Sequence, residues 1–210
     1  MIATPTVTTL RRELAAALRL AERHGFSEGI CNHFSVVVPG PAERFLINPY
    51  GLHWSEMRPE HLLLIDGNGA VLEGDGEVEA TARNIHIAGH RANPRHACIL
   101  HVHMPHATAL TLTVQRALDT TLSQGAMRFH GRVAVDEHYN GLALDMAEGE
   151  RIARAMMVNG KAKEVAFLGN HGVVVCGARI DYAYDDLYYL ERECQLQVLA
   201  LSTGLKLLPA

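Results

Sequence analysis

The sequence predicts a mixed α/β domain, and three observations support this prediction. Apolar, β-branched runs within about 34–48, 62–73, 98–104 and 165–176 end in glycine, asparagine or proline, which is typical of strands. Stretches at about 8–24, 79–91, 145–158 and 181–203 carry apolar residues at helical spacing. The chain has 210 residues, which suits a single domain, 1–210, with a sizeable core.

Composition limits the kinds of partner that we expect. Apolar residues make up 48% and charged residues 20%, as in a soluble globular protein, and the formal charge is -4. Without a basic patch or a membrane-length apolar run, we expect neither nucleic acid nor membrane as a partner. The start lacks a signal pattern, so we expect the cytoplasm. Cys31, Cys98, Cys176 and Cys194 are scattered without Cys-x-x-Cys, and we expect buried free thiols rather than disulfides.

The first half of the chain reads as a helix, two strand pairs and a second helix. Thr8 or Thr9 is the expected cap of the first helix, and Gly25 its end. A Gly-Asn-Gly turn at 67–69 predicts a hairpin between apolar arms. In the second helix, His86 and His90 lie four residues apart without a recognisable third ligand, so we expect surface or interface histidines.

The central strand predicts half of a metal site. His101 and His103 are two residues apart directly after Cys98-Ile99-Leu100, so both side chains point to one face of the strand and Val102 points to the other. Two imidazoles on one strand suit a transition metal. A chance His-x-His with exposed rings is the alternative, and Pro105 should end the strand near Met104.

A third histidine lies in the turn Gly169-Asn170-His171-Gly172, between two apolar runs. It is either a hydrogen-bonded core histidine or a further ligand. Together with His101 and His103, a site of three histidines is the better explanation. Three nitrogen ligands leave positions open for water or substrate, as in a catalytic metal site.

The remaining segments flank this expected site. Residues 106–118 look helical and begin with His106 beside the predicted metal. The polar stretch 117–140 looks irregular and is a candidate active-site wall. The last helix is apolar on more than one side, which favours burial against a neighbouring subunit; wrapping within the chain is the alternative.

The order of these motifs resembles the class II aldolase/adducin family over about residues 8–203. The shared motifs are Gly-x-x-Asn-x-x-Ser, Asn-Pro-x-Gly, Ile-Asp-Gly-Asn-Gly, His-x-His and Asn-His-Gly. The resemblance implies a three-layer α/β/α sandwich around a mostly antiparallel central sheet. It also implies a homotetramer with sites near the subunit interfaces. His101, His103 and His171 would bind a divalent metal, with Zn²⁺ expected and Mn²⁺, Fe²⁺ or Co²⁺ as alternatives.

The resemblance also assigns substrate-binding positions. Asn32 matches an asparagine of the anion and enediolate pocket, and Gly51 a glycine of the phosphate-binding turn, although local sequence favours plain turn residues at both. The acid/base glutamate of the sugar-phosphate aldolases falls on Ala82, where only the neighbouring Thr81 keeps a hydroxyl. Glu79 is a candidate substitute, with an exposed helix-start carboxylate as the alternative.

These features predict a metal-dependent carbon–carbon lyase that acts on a small hydroxy or keto acid through a stabilised enolate. The missing glutamate slightly favours decarboxylation over aldol cleavage, because decarboxylation needs no base before the bond breaks. Glu79, His106 and Tyr139 are the expected proton carriers. A sugar-phosphate-type class II aldolase and a non-catalytic adducin-like interaction domain are the alternatives.

Overall fold

The computed structural model describes residues 4–209, which form five α-helices and ten strands. The helices are α1 Val7–Arg23, α2 Ala80–Ala92, α3 Pro105–Thr111, α4 Met146–Ala155 and α5 Ile180–Ser202. The strands are β1 His33–Val37, β2 Arg44–Ile47, β3 Leu63–Asp66, β4 Val71–Glu73, β5 Cys98–Val102, β6 Val133–Asp136, β7 Met157–Val158, β8 Lys161–Ala162, β9 Val165–Leu168 and β10 Gly172–Gly177.

Eight strands form one sheet in the order β4-β3-β2-β1-β5-β10-β9-β6, and β7 and β8 form a small separate hairpin. Every neighbouring pair in the large sheet is antiparallel except β6 and β9, which run parallel. The mostly antiparallel sheet that the sequence predicts is therefore confirmed. Strands β5 and β10, which are neighbours in this sheet, carry the residues next to the candidate site.

Helices cover both faces of the sheet, which confirms the three-layer α/β/α sandwich. On one face α1, α3 and α5 pack on the largest apolar cluster, to which β5 contributes Leu100 and Val102. On the other face α2 and α4 pack on two smaller clusters, and β5 contributes Ile99 to one of them. The alternation along β5 follows from the two-residue period of a strand, and it turns Val102 away from His101 and His103 as predicted.

Helix α1 begins earlier than the sequence predicts. Thr6, not Thr8 or Thr9, is the cap, and its hydroxyl accepts a hydrogen bond from the Thr9 backbone nitrogen at 3.2 Å. Thr6 has extended backbone angles, whereas Thr8 and Thr9 already lie inside the helix, where the cap geometry is not available. Gly25 follows the helix with φ +73°, as expected for a terminating glycine.

Two predictions between residues 105 and 140 are wrong. Helix α3 ends at Thr111 instead of continuing to 118, and Arg116 takes a left-handed φ of 58°. The stretch 117–140 is not wholly irregular, because it contains a short 3₁₀ helix and strand β6. Strand β6 forms by pairing with β9 some thirty residues later in the chain, a contact that local sequence does not reveal.

Two further corrections concern burial. Cys31 is exposed, because it lies in the turn before β1, while the other three cysteines are buried free thiols as predicted. His86 and His90 are not surface histidines but lie buried between α2 and the sheet. Both rings bond to the Ser35 hydroxyl of β1, more than fifty residues earlier, and this partner is not visible in the local sequence of the helix.

Helix α5 packs along most of its length within the chain. Its buried residues run from Ile180 to Gln197. Leu196, Leu199 and Leu201 are exposed near its end. The alternative of a helix wrapped within the chain therefore describes most of α5, and burial against a neighbouring subunit stays a prediction for the exposed end.

Candidate metal centre

Three histidines converge where β5 ends and the β9–β10 turn begins. His101 is the fourth residue of β5, His103 follows the strand, and His171 lies in the turn before β10. One ring nitrogen from each lies within 4.8 Å of the others, and the Nε2 atoms of His101 and His103 are 3.2 Å apart. The structure thus brings together the three residues that the sequence predicts as ligands.

The β9–β10 turn fits this convergence because its residues allow a tight backbone. Asn170 takes a left-handed φ of 57°, which asparagine tolerates better than most residues. A Cβ added at Gly172 would lie 2.6 Å from His103 Cδ2 and 2.7 Å from the Val102 oxygen. Only glycine therefore fits where the turn passes the His103 ring.

Hydrogen bonds to the outer ring nitrogens orient two of the three imidazoles. His101 Nδ1 donates to the Val173 carbonyl oxygen at 3.0 Å, which leaves the lone pair on Nε2. His103 Nδ1 lies 2.5 Å from a carboxylate oxygen of Glu28. Carbonyl and carboxylate partners of this kind orient metal-binding histidines and raise their basicity.

Electrostatics keep the His101 and His171 imidazoles neutral, and neutral imidazole is the form that binds metal. Burial, followed by the neighbouring His103, lowers the pKa of His171 to about 4. Burial also holds the pKa of His101 well below its ordinary value, and nearby histidines add to the effect. Three converging ring nitrogens, two of them on rings oriented from outside, fit a divalent transition metal.

Tyr139 lies next to the histidines on the loop that follows β6. Its ring centroid is 6.3 Å from that of His171, and 55% of the residue is exposed. Arg151 of α4 holds this loop. Its guanidinium bonds both carboxylate oxygens of Asp136, at 2.8 and 2.7 Å, and the His138 carbonyl oxygen at 3.3 Å. The sequence reasoning missed Arg151 and Asp136, whose pairing depends on how α4 docks on β6.

Gly51 lies in a turn, and Asn32 lies between a turn and β1. Asn32 also has a buried amide group, which turn formation alone does not explain. Asn32 is buried, and its Oδ1 accepts a hydrogen bond from the Glu28 backbone nitrogen at 2.8 Å. Its Nδ2 is a buried donor without a partner among residues 4–209. Gly51 takes φ +82°, which glycine adopts freely. The Asn32 amide is therefore available to a ligand, a role that stays a prediction.

Glu79 and Thr81 have structural contacts at the start of α2. Glu79 is the cap residue, and its Oε2 accepts hydrogen bonds from the Ala82 backbone nitrogen at 2.8 Å and from the Thr81 hydroxyl. Ala82 packs in the apolar cluster that includes Ile47 and Leu63. In the described part of the chain, neither Glu79 nor Thr81 hydrogen-bonds to the three histidines, and their proposed roles stay predictions.

His106 is tied to the last helix. Its Nδ1 and backbone nitrogen lie 2.7 and 2.9 Å from Oε1 of Glu191, whose Oε2 accepts from the Ala107 nitrogen at 2.9 Å. This buried carboxylate satisfies donors at the start of the short helix α3. Only Nε2 of His106 remains for proton transfer.

Sequence reasoning missed two further residues of the centre. Glu28 lies in a polar turn, 75 residues before the histidine that it contacts, and nothing local marks it. His33 lies directly opposite His101 in the sheet, with ring centroids 4.8 Å apart. Its signal was present in β1, where His33 and Ser35 alternate with the apolar Phe34 and Val36 in a strand buried on both sides.

The fold and the histidine cluster define a three-layer α/β protein with a candidate site for a divalent metal. The profile of the Class II Aldolase and Adducin N-terminal domain matches residues 12–198. The chain therefore belongs to the class II aldolase/adducin family, as the motifs predict. No helix in residues 4–209 is both long and apolar enough to cross a membrane.

Relatives of this chain carry different functional names. It is 32% identical to an aldolase class 2 protein of Caulobacter vibrioides over 195 residues, covering 92% of this chain and 73% of the relative. It is 31% identical to the decarboxylase NovR of Streptomyces niveus, covering 90% and 69%. It is also 31% identical to rat alpha-adducin over 93% of this chain, which corresponds to 26% of the adducin.

Solved structures share the fold over nearly the whole chain. An aldolase II superfamily protein from Pseudomonas syringae superposes with a TM-score of 0.88 and 33% identity, covering 99% of this chain and 83% of the other. The L-fuculose 1-phosphate aldolase from Glaciozyma antarctica PI12 superposes with a TM-score of 0.84 and 27% identity, covering 100% and 81%.

Proposed function

We propose that this protein is a divalent-metal-dependent carbon–carbon lyase that acts on a small hydroxy or keto acid. The observation that carries the proposal is the convergence of the ring nitrogens of His101, His103 and His171 within 4.8 Å. Three protein nitrogens leave coordination positions open for a substrate, unlike a closed structural site. The expected ion is Zn²⁺, although imidazole ligands also suit Mn²⁺, Fe²⁺ and Co²⁺.

A divalent ion at the three histidines would supply Lewis acidity that stabilises the negative charge of an enolate. His101 and His103 hold their Nε2 atoms toward the ligand through the Val173 carbonyl and the Glu28 carboxylate. The buried Asn32 amide donor is proposed to bind an oxygen of the acid. Gly51 and Thr81 are the other proposed substrate-binding positions, on the family resemblance alone.

Decarboxylation is slightly favoured over aldol cleavage. The bond to the carboxylate carbon breaks, carbon dioxide leaves, and the remaining electron pair forms the enolate. The carbon that lost the carboxylate then takes a proton, for which Tyr139 is the proposed donor because its ring lies near the His171 ring. No base has to remove a hydroxyl proton first, which agrees with Ala82 packing in an apolar cluster. The decarboxylase NovR among the relatives supports this choice.

Glu79 and His106 remain candidate proton carriers. Glu79 already bonds to the start of α2, and His106 already bonds to Glu191. Each would therefore transfer a proton through a side-chain atom that these hydrogen bonds leave free.

A sugar-phosphate aldolase is the second candidate, supported by the fuculose 1-phosphate aldolase among the structural neighbours. We also propose a homotetramer, in which the exposed leucines of α5 meet a second copy.

The test is a substrate panel on protein purified with Zn²⁺ and analysed for bound metal. Hydroxy acids, keto acids and aldol donors are supplied, and release of carbon dioxide and of aldehyde is followed separately. The His103→Ala variant should lose more than the roughly 10- to 100-fold in activity that loss of an outer partner costs, because it removes a ligand itself. The control, His130→Ala, removes an exposed histidine away from the site.

Two outcomes would contradict the proposal. Turnover that survives His103→Ala would show that the three histidines do not carry the chemistry. Protein that stays free of metal after purification with Zn²⁺, and inactive on the whole panel, would favour the adducin-like interaction domain instead.

A further inference from the structure

A chain of buried polar side chains runs between β1 and α2, outside the three candidate metal ligands. His33 Nδ1 lies 2.7 Å from His86 Nε2, and His86 Nδ1 is hydrogen-bonded to the Ser35 hydroxyl. The same hydroxyl lies 2.7 Å from His90 Nε2, and His90 Nδ1 lies 2.8 Å from the His96 carbonyl oxygen. All four side chains are buried.

The carbonyl at the far end fixes the direction of every hydrogen bond. A carbonyl oxygen only accepts, so His90 carries its proton on Nδ1 and its Nε2 accepts from the Ser35 hydroxyl. The Ser35 oxygen then accepts from His86 Nδ1, which leaves His86 Nε2 to accept from His33 Nδ1. Burial keeps His86 and His90 neutral with one proton each, since it lowers the pKa of His90 to about 4 and holds the pKa of His86 well below its ordinary value.

This direction has two consequences. The series of hydrogen bonds ends on the His96 carbonyl oxygen, which does not pass a proton on. The series is therefore not a route for protons to solvent. It also defines one tautomer for each of the three rings, with the proton on Nδ1 and a lone pair on Nε2. For His33, this lone pair lies on the ring nitrogen that the chain does not use.

His33 adjoins the candidate metal centre. It pairs directly with His101 across β1 and β5, so both side chains lie on the same face of the sheet. Their ring centroids are 4.8 Å apart, while the group of converging ligand nitrogens consists of His101, His103 and His171. His33 thus lies beside the ligands and is oriented independently of them.

We propose that Ser35, His86 and His90 are positioning residues that hold His33 in its Nδ1–H tautomer, so that its Nε2 accepts a hydrogen bond from a hydroxyl of the acid at the three histidines. This proposal rests on the proposed function, because it assigns the hydroxyl of a hydroxy acid to His33. This role would explain why buried, hydrogen-bonded histidines, and not apolar side chains, fill this part of the sheet.

The first test reads the tautomers directly and needs no turnover. The zinc-loaded protein is labelled with ¹⁵N-histidine, and nitrogen chemical shifts distinguish Nδ1–H from Nε2–H rings. Single His→Gln variants at 33, 86 and 90 assign the signals. Nδ1–H rings at all three positions support the proposal, and an Nε2–H ring at His33 overturns it.

The second test removes the link in the middle of the chain. Ser35→Ala leaves His86 without an acceptor and His90 without a donor, so the His33 ring should lose its single tautomer. We expect zinc stoichiometry to stay unchanged and kcat to fall by about 10-fold or more, as for loss of an orienting partner of a metal site. KM is measured alongside kcat, so that weaker binding of the acid is distinguished from slower turnover.

The control is Ser123→Ala, which removes a partly buried hydroxyl that bonds to Glu193 of α5 and not to the residues of this hydrogen-bonded chain. Its kcat should stay within about 2-fold of wild type. A Ser35→Ala enzyme with wild-type kcat overturns the proposal. If Ser35→Ala does not fold, the wild-type tautomers still decide. If the protein is inactive on the whole substrate panel but His33 carries its proton on Nδ1, only the proposed function is contradicted. If the protein is active but His33 carries its proton on Nε2, only this inference is contradicted.

Discussion

At the residue scale, the orientation of the candidate ligands depends on partners that come from other parts of the chain. Glu28 contacts His103 from a turn 75 residues earlier, and Val173 contacts His101 from the adjacent strand. The ligands themselves follow from local patterns, since His-x-His on a strand and histidine in a glycine turn are visible in sequence. Their partners follow only from the fold.

Replacing Glu28 with glutamine tests its contribution to the metal site. The carboxylate is 63% exposed, so its charge is partly screened by solvent. Loss of that charge makes the His103 nitrogen less basic, and the dissociation constant for Zn²⁺ should rise by about 10-fold. Competition with a chromophoric chelator measures it. Glu56→Gln, which alters an exposed glutamate away from the site, should leave the constant unchanged, and an unchanged constant in Glu28→Gln would refute the assignment.

At the scale of elements, the loop that carries Tyr139 is held from α4. Asp136 at the end of β6 is only 3% exposed, and the Arg151 guanidinium bonds both of its oxygens. Glu148 adds a second carboxylate to the same guanidinium. A short exposed loop is thereby anchored to a sheet strand and a helix, and Tyr139 is kept near His171.

Arg151→Met should destabilise the protein strongly, because it leaves a buried carboxylate without its partner. Breaking a buried ion pair from one side costs about 3–5 kcal/mol in the free energy of unfolding. Arg154 on the same helix is the matched control, since it pairs with Glu150 where both side chains are exposed, and Arg154→Met should cost about 0.5 kcal/mol or less. Urea unfolding measures both, and equal losses for the two variants would exclude the pairing as the cause.

Elements with local signals were predictable, and elements that depend on distant partners were not. The Gly-Asn-Gly hairpin and helices α1, α2, α4 and α5 lie close to their predicted positions, because turn chemistry and apolar spacing act within a few residues. Strand β6 needs β9, and helix α3 starts on a carboxylate from α5. The burial of His86 was missed for the same reason, since its partners lie on β1.

At the scale of the whole molecule, buried neutral histidines make stability depend on pH. In the metal-free folded protein the pKa of His90 is lowered to about 4, from 6.5 in the unfolded chain, by burial. Between these values the unfolded chain binds more protons, so the free energy of unfolding falls as the pH falls from 6.5 toward 4. Each such histidine contributes about 1.4 kcal/mol per pH unit, and the loss ends below the folded pKa.

Urea unfolding of chelator-treated protein across this range should show that slope. His90→Gln should remove about one proton from the slope between pH 6.5 and 4, because the unfolded state then has one histidine fewer to protonate. His130→Gln, at an exposed position, should keep it. A slope that is the same in wild type and His90→Gln would show that His90 is protonated in the folded protein.

The order of strands in the sheet was out of reach of local reasoning. It places β5 between β1 and β10, and this neighbourhood joins residues from three distant parts of the chain at one site. The three-layer arrangement was nevertheless predicted, through the resemblance of the motif order to a known family rather than through periodicity.

The polar chain between β1 and α2 also determines where that helix lies along the sheet. Apolar side chains pack with little directional preference, so a helix on a purely apolar bed could shift or roll at small cost, whereas hydrogen bonds require set angles and lengths. Because His86 in the middle of α2 and His90 in its last turn bond to β1, any sliding of the helix would break several bonds at once. The start of the helix, with Glu79 and Thr81, is therefore held at a constant distance from the strand that bears His33.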